Sequence, residues 1–214
     1  MAYRDFTLNK LEELFLITSK IKSLFSLADI TPSTPDVWLS EALEMGQKLR
    51  LRSEKMRSEV IVTPILLYLK RINTDFFTIY SGEVLNVDKE LGLNGECDFL
   101  LSQNTDSYTI DTPIISIVEA KKHDIDLGIN QCAAQMYGAS LYNKKKGKPT
   151  EVIYGCVTTA SDWQFMKLEG NMLTIDKKIY SIEELPTILG IFQHIIDYYK
   201  AILEPVEAWQ NTNA

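Results

Sequence analysis

The chain has 214 residues, 45% of them apolar and 24% charged, enough for one substantial core. This composition excludes collagen-like, coiled-coil and globally disordered classes, and no apolar run approaches the roughly 20 residues that span a bilayer. A net charge of −7 argues against a protein that holds nucleic acid on a broad basic face. Any polyanion would have to be met by local basic clusters, or by divalent ions bridging carboxylates to phosphate.

Cys97, Cys132 and Cys156 are odd in number and far apart, with no Cys-x-x-Cys pair and only two histidines to join them. Free buried thiols in a reducing cytoplasm are expected. The opening Met1-Ala2-Tyr3-Arg4-Asp5-Phe6 is mixed in charge and leads into helix-like sequence, unlike a secretory leader. A cytoplasmic protein without membrane association is the expectation.

In chain order, Leu8, Leu11, Leu14, Phe15, Ile21, Leu24 and Phe25 recur at helical spacing, which predicts a helix over 8–27. Thr7 is the natural N-cap, with Asn9 a competitor. Proline breaks the pattern at 31–35, and a second helix is predicted from about Asp36 to Arg52. The segment 54–72 also reads as helix. Pro64 removes an amide donor there, so a kink or two short helices meeting at Thr63 are expected. Phe76 to Tyr80 reads as a strand, with 84–87 a possible continuation past Gly82. Strands are predicted at 95–101, 114–118 and 152–158, with a polar, turn-rich stretch over 103–113. A helix is predicted over 124–146. A hairpin around Glu169-Gly170-Asn171 joins 163–168 to 172–175, and an amphipathic helix spans 183–203. No internal repeat or long linker is visible. The order of elements fits α/β or α+β with a mixed sheet.

The chemistry concentrates in two places. In Ile115-Ser116-Ile117-Val118-Glu119-Ala120-Lys121-Lys122 an apolar strand ends in a carboxylate and an ammonium two residues apart. Period-two geometry puts Glu119 and Lys121 on one face, about 7 Å apart along the strand. Ile115 and Ile117 are expected on that face too, with Val118 and Ala120 opposite. Open α/β sheets tend to bind ligands at such strand ends. In Gly95-Glu96-Cys97-Asp98-Phe99-Leu100-Leu101 a single aspartate interrupts an apolar run. Strands joined through a turn are expected as antiparallel neighbours, which brings Asp98 beside Glu119. Two such carboxylates repel unless a cation sits between them, and Mg²⁺ accepts oxygen ligands of this kind.

Together these features resemble the PD-(D/E)xK nuclease superfamily, which includes restriction endonucleases. Asp98 matches the family's first acid, and Glu119-Ala120-Lys121 matches its (D/E)-x-K motif. Glu59 fits the acid many members carry on a preceding helix. Gln131 and Gln135 are both candidates for the glutamine found on the following helix in several branches. Cys97 stands where the motif's name has proline.

The resemblance covers about 54–158. It implies an α/β, restriction endonuclease-like core with a mixed β-sheet flanked by helices. It also implies Mg²⁺-dependent hydrolysis of phosphodiester bonds in DNA, with Mn²⁺ as a substitute. Asp98, Glu119 and the Ala120 carbonyl would hold the metal. Lys121 would orient water or stabilise charge on phosphate, Glu59 would bind metal through water or hold a second ion, and Gln131 or Gln135 would position substrate or Lys121. One domain over 1–214 is expected: a helical extension (1–53), the motif region (54–158), and a hairpin with the last helix (159–214). The alternative is a catalytically silent module of the same fold, binding nucleic acid or a partner protein. Whether the substrate is double-stranded, single-stranded, branched or modified DNA, or RNA, stays open.

Other features have bland readings. Lys144-Lys145-Lys146-Gly147-Lys148 reads as a solvated helix end that could touch phosphate. His123 reads as a turn residue and His194 as structural. The stripe Ile182, Leu185, Leu189, Phe192, Ile196 and Tyr199 suits a core or a homodimer equally.

Overall fold

The computed structural model describes residues 1–74, 76–103 and 109–211, with side chains described to residue 203. Its elements are α1 (Leu8–Phe15), β1 (Thr18–Lys22), α2 (Val37–Gln47), α3 (Glu54–Arg57), α4 (Thr63–Ile72), β2 (Phe77–Val84), β3 (Glu96–Gln103), β4 (Ile114–Ala120), α5 (Ile125–Lys145), β5 (Val152–Thr158), β6 (Asp162–Glu169), β7 (Met172–Asp176), β8 (Tyr180–Ser181) and α6 (Leu185–Asn211).

The eight strands form one mixed sheet in the order β1-β7-β6-β5-β4-β3-β2, with β8 against β6. The β4–β5 and β1–β7 pairs are parallel; the others are antiparallel. Helices cover both faces, so the fold class is α/β. On one face Leu39, Leu66, Leu189 and Phe192 from α2, α4 and α6 pack against Phe99, Val118 and Phe165. On the other, Ile129, Cys132 and Met136 of α5 and Leu11 of α1 pack against Leu100, Ile117 and Val157. β4 and β5 are buried on both faces, which explains why both read as apolar runs without alternation.

Caps act as the sequence suggests. Thr7 accepts from Lys10 N–H at 3.2 Å, Asp36 from Leu39 N–H at 2.9 Å, and Asp124 from Leu127 N–H at 3.1 Å. The 169–171 turn closes the β6–β7 hairpin, with Gly170 at φ 55°. All three cysteines are free and buried.

Several expectations are corrected. The first helix stops at Phe15, where Leu16 turns left-handed (φ 58°), and β1 follows. Every residue of β1 is exposed, so pairing with β7 makes it a strand, not a buried face. The second helix ends at Gln47, short of Arg52. At Pro64 the chain inserts a π-helical turn, Ser58–Val62, between α3 and α4. Proline has no N–H for the Val60 carbonyl one turn back; that oxygen lies so close to Gly46 of α2 that a Cβ there would meet it at 2.6 Å. β2 runs unbroken through Gly82, and the predicted 84–87 continuation ends at Val84.

Ile115 and Ile117 do not share a face. The β3–β4 register shifts between Leu101 and Ser102, and this bulge turns Ile115 toward the α4–α6 side while Ile117 faces α5. The last helix starts at Leu185 after a 3-10 turn, Ile182–Glu184. Leu189, Phe192, Ile196 and Tyr199 are buried in the core, so that stripe is not a free dimer surface. The predicted turn over 103–113 includes residues 104–108, which lie outside the described residues. No helix among the described residues is long and apolar enough to cross a membrane.

Candidate active site

β4 and β5 run parallel, with α5 as the connection between them. The carboxyl end of β4 therefore opens beside the start of α5. Lys121 stays pinned there, its N–H donating to Thr158 O at 2.7 Å. Two glycines let α5 lie close to the sheet at this end. A Cβ at Gly128 would meet Val157 Cγ1 at 2.4 Å and Lys121 Cγ at 2.9 Å; one at Gly155 would meet Met136 Sδ at 2.4 Å. The close approach brings Gln131 and Gln135, one helical turn apart, over the end of β4.

Phe99 pairs with Val118, so the next positions outward are Asp98 and Glu119. There the Asp98 carboxylate takes over from the ladder: its Oδ2 accepts the Ala120 N–H at 2.7 Å. Glu119 is only 1% exposed. Its Oε1 accepts from Lys121 Nζ at 2.6 Å and its Oε2 from Gln135 Nε2 at 2.9 Å. Lys121 Nζ also donates to Gln131 Oε1 at 3.1 Å, and Gln135 Nε2 to Glu96 O at 3.3 Å. The two glutamines thus have separate tasks: Gln131 holds the lysine and Gln135 holds the buried glutamate.

Electrostatics reflect this crowding. Burial pushes the Glu119 carboxyl up to about 7; the Asp98 charge adds to the rise, while Lys121 and Gln135 oppose it. Burial also raises Asp98, against the lowering pull of the Ala120 N–H and of Lys121. For Lys121 burial acts downward, but the charge and hydrogen bond of Glu119, with Glu54 and Asp98 behind them, hold the ammonium above its ordinary value.

Two adjoining clefts open here. The inner one, about 460 Å³, is lined by Arg4, Glu54, Asp98, Glu119, Lys121 and Gln131 among others. The outer one, about 440 Å³, is lined by Lys55, Glu59, Thr63 and Ser81 and shares Glu54, Glu96 and Asp98 with the first. Gly82, left-handed at φ 68°, lies in the outer wall where β2 passes between the Ser81–Phe99 and Glu83–Cys97 pairs.

Asp98, Glu119, Ala120, Lys121, Gln131 and Gln135 therefore come together. Glu59 stands apart. It is exposed, lines the outer cleft only, and pairs with Lys55 at 3.8 Å. Glu54 is the helix acid that both clefts share, and its charge acts on Asp98 and on Lys121. Both acids line the outer cleft, but only Glu54 also reaches the inner one. The Ser53 cap, accepting from Met56 N–H at 3.0 Å, was the signal that Glu54 begins the helix on this side. Glu54 and the N-terminal wall residue Arg4 also line the inner cleft, and motif spacing did not single them out.

His123 lines a neighbouring cleft with Asp124, Thr159 and Asp162, and His194 packs edge-on against Phe25. In the 144–148 cluster Lys145 and Lys148 donate to the Val87 and Thr112 carbonyls.

Among the described residues no group of three or more His, Cys, Asp or Glu side chains is gathered to hold a metal ion by itself. The donor set at the end of β4 is two carboxylates, Asp98 and Glu119, the charge of the first acting on the second, a hard-oxygen set that lines the inner cleft. No protein-family model matches the chain, and no curated protein or solved structure matches it.

Proposed function

We propose that the chain is a DNA nuclease of the PD-(D/E)xK kind, with a restriction endonuclease-like core and Mg²⁺ as its natural metal, Mn²⁺ substituting. The observation that carries this reading is the meeting of Asp98, Glu119 and Lys121 at the carboxyl end of β4, with Asp98 on the Ala120 N–H and Glu119 on the Lys121 ammonium.

The donor chemistry fits a hard divalent cation. Two repelling carboxylates favour one between them, and Mg²⁺ keeps several waters and needs few protein ligands. Asp98 and Glu119 would hold it, with the Ala120 carbonyl beside them. Bound there, the ion would polarise the scissile phosphate and make a water more acidic. The chain's own residues do the rest. Lys121 offers an ammonium to the negative charge that builds on the phosphoryl oxygens. Gln131 orients that ammonium, and Gln135 fixes the Glu119 carboxylate. Glu54 adds negative charge that keeps Lys121 protonated.

The test is cleavage of plasmid and linear DNA with Mg²⁺ or Mn²⁺. Wild type should cut, and Asp98→Ala, Glu119→Ala and Lys121→Ala should each lose about 100-fold or more. Variants that cut as well as wild type would remove the site assignment.

One observation favours a second reading. Both Glu119 oxygens are already satisfied, by Lys121 and by Gln135. A catalytically silent module that binds nucleic acid or a partner protein would keep such a closed network. Calorimetry without heat from Mn²⁺ binding would support this reading over catalysis.

A further inference from the structure

Resting on the nuclease reading, we propose that Arg4 is the substrate anchor of the inner cleft, gripping a backbone phosphate of the nucleic acid next to the one under attack. Four carboxylates line this cleft, Glu54, Glu96, Asp98 and Glu119, against two cations, Arg4 and Lys121. Lys121 is occupied by Glu119 and Gln131. Arg4 is not: its side chain is 82% exposed, and Asp5 approaches it only to 4.0 Å. An anionic strand entering an acidic cleft of an acidic protein needs a cation at the mouth, and Arg4 is placed to be it.

The placement is built into the fold. Tyr3, next to Arg4, is 1% exposed. Its ring lies so close to α5 that a Cβ at Gly138 would meet the Tyr3 hydroxyl at 2.3 Å, and one at Gly95 would meet Tyr3 Cδ2 at 3.4 Å. The 3-10 turn Tyr3–Asp5 and the residues around it are also tied by their backbone. Tyr3 N–H donates to Asn94 O at 3.0 Å, Ala2 N–H to Asp5 Oδ2 at 2.8 Å, and Leu8 N–H to the Asn130 side chain at 2.9 Å. A buried tyrosine thus clamps the N-terminal segment as one wall of the cleft and leaves the arginine side chain exposed beside it. A planar guanidinium grips phosphate through two parallel N–H donors, which a lysine cannot do.

The experiment measures binding of a fluorescein-labelled DNA hairpin, with duplex and single-stranded parts, across a salt series. Ca²⁺ replaces Mg²⁺ to prevent cleavage; cleavage kinetics follow in Mg²⁺. Arg4→Ala should weaken binding about tenfold and lower the salt slope by about one. KM should rise while kcat is retained. Arg4→Lys should keep the slope and recover only part of the affinity. Lys20→Ala, on β1 at the opposite edge of the sheet, should change neither. If wild type binds and Arg4→Ala binds equally well, the anchor is wrong and the nuclease reading survives. If Lys20→Ala loses as much as Arg4→Ala, binding is diffuse and the anchor is again wrong. If wild type neither binds nor cuts DNA, both fall together.

Discussion

Glu119 at the end of β4 and Asp176 at the end of β7 are each 1% exposed, yet they are held in opposite ways. Asp176 accepts from the backbone N–H groups of Leu24 at 3.3 Å and Lys178 at 3.2 Å, and from the Tyr180 hydroxyl at 3.2 Å. It stitches β7 to the segments around it. Glu119 takes nothing from the backbone among its bonds described here; its partners are the side chains of Lys121 and Gln135, and a second carboxylate presses on it. Burial of an acid is therefore no mark of function. Asp176 is tied mainly by backbone donors, whereas Glu119 is held by side-chain donors beside a cleft that Asp98, with its own backbone donor, also lines.

The sharpest way to break this contrast is to remove each acid. Glu119→Gln should abolish DNA cleavage, a loss of about 100-fold or more, while the protein stays folded. Asp176→Ala should cut DNA as wild type does but lose about 1–3 kcal/mol of stability in urea, because buried donors lose their acceptor. Equal behaviour of the two variants would erase the distinction.

Next in size is a pH effect. The Glu119 carboxyl rises from 4.5 to about 7 on folding. Across that window the folded protein keeps a proton that the unfolded chain releases, so stability falls as pH rises through it and levels off above. The raised Asp98 acts in the same direction. Metal-free wild type should thus melt at a lower temperature at pH 8 than at pH 5, and Glu119→Gln should flatten much of that slope.

Gly128→Ala tests how α5 serves only one of the two acids. Its Cβ would crowd Val157 and Lys121. A cost of about 1–3 kcal/mol is expected, with cleavage reduced through a displaced lysine. The smallest effect separates the helix acids. Glu54→Gln should lower cleavage about tenfold, and Glu59→Gln should leave it close to wild type in the same assay.

Much of this was legible in the sequence for physical reasons. β3, β4 and β5 are buried, so their apolar runs announce them, and Asp98 and Glu119 stand out because charge is rare there. α5 declares its start through Asp124. What stayed hidden depends on partners distant in sequence. β1 exists through β7 and buries no face of its own. The bulge beside Ile115 arises from the match with β3, and no period within β4 reveals it. That Glu54 reaches both clefts and Glu59 only one depends on the π-helical turn that starts between them, at Ser58, which no local period reveals. The placement of Arg4 in the cleft wall follows from Tyr3 packing against a helix more than a hundred residues away in the chain.

The most direct test is a crystal of the protein soaked in Mn²⁺ and measured for anomalous scattering. The expected result is a peak coordinated by oxygens of both Asp98 and Glu119, with Lys121 moved off Glu119. An ordered site with no peak at saturating Mn²⁺, and Lys121 still bonded to Glu119, would contradict it.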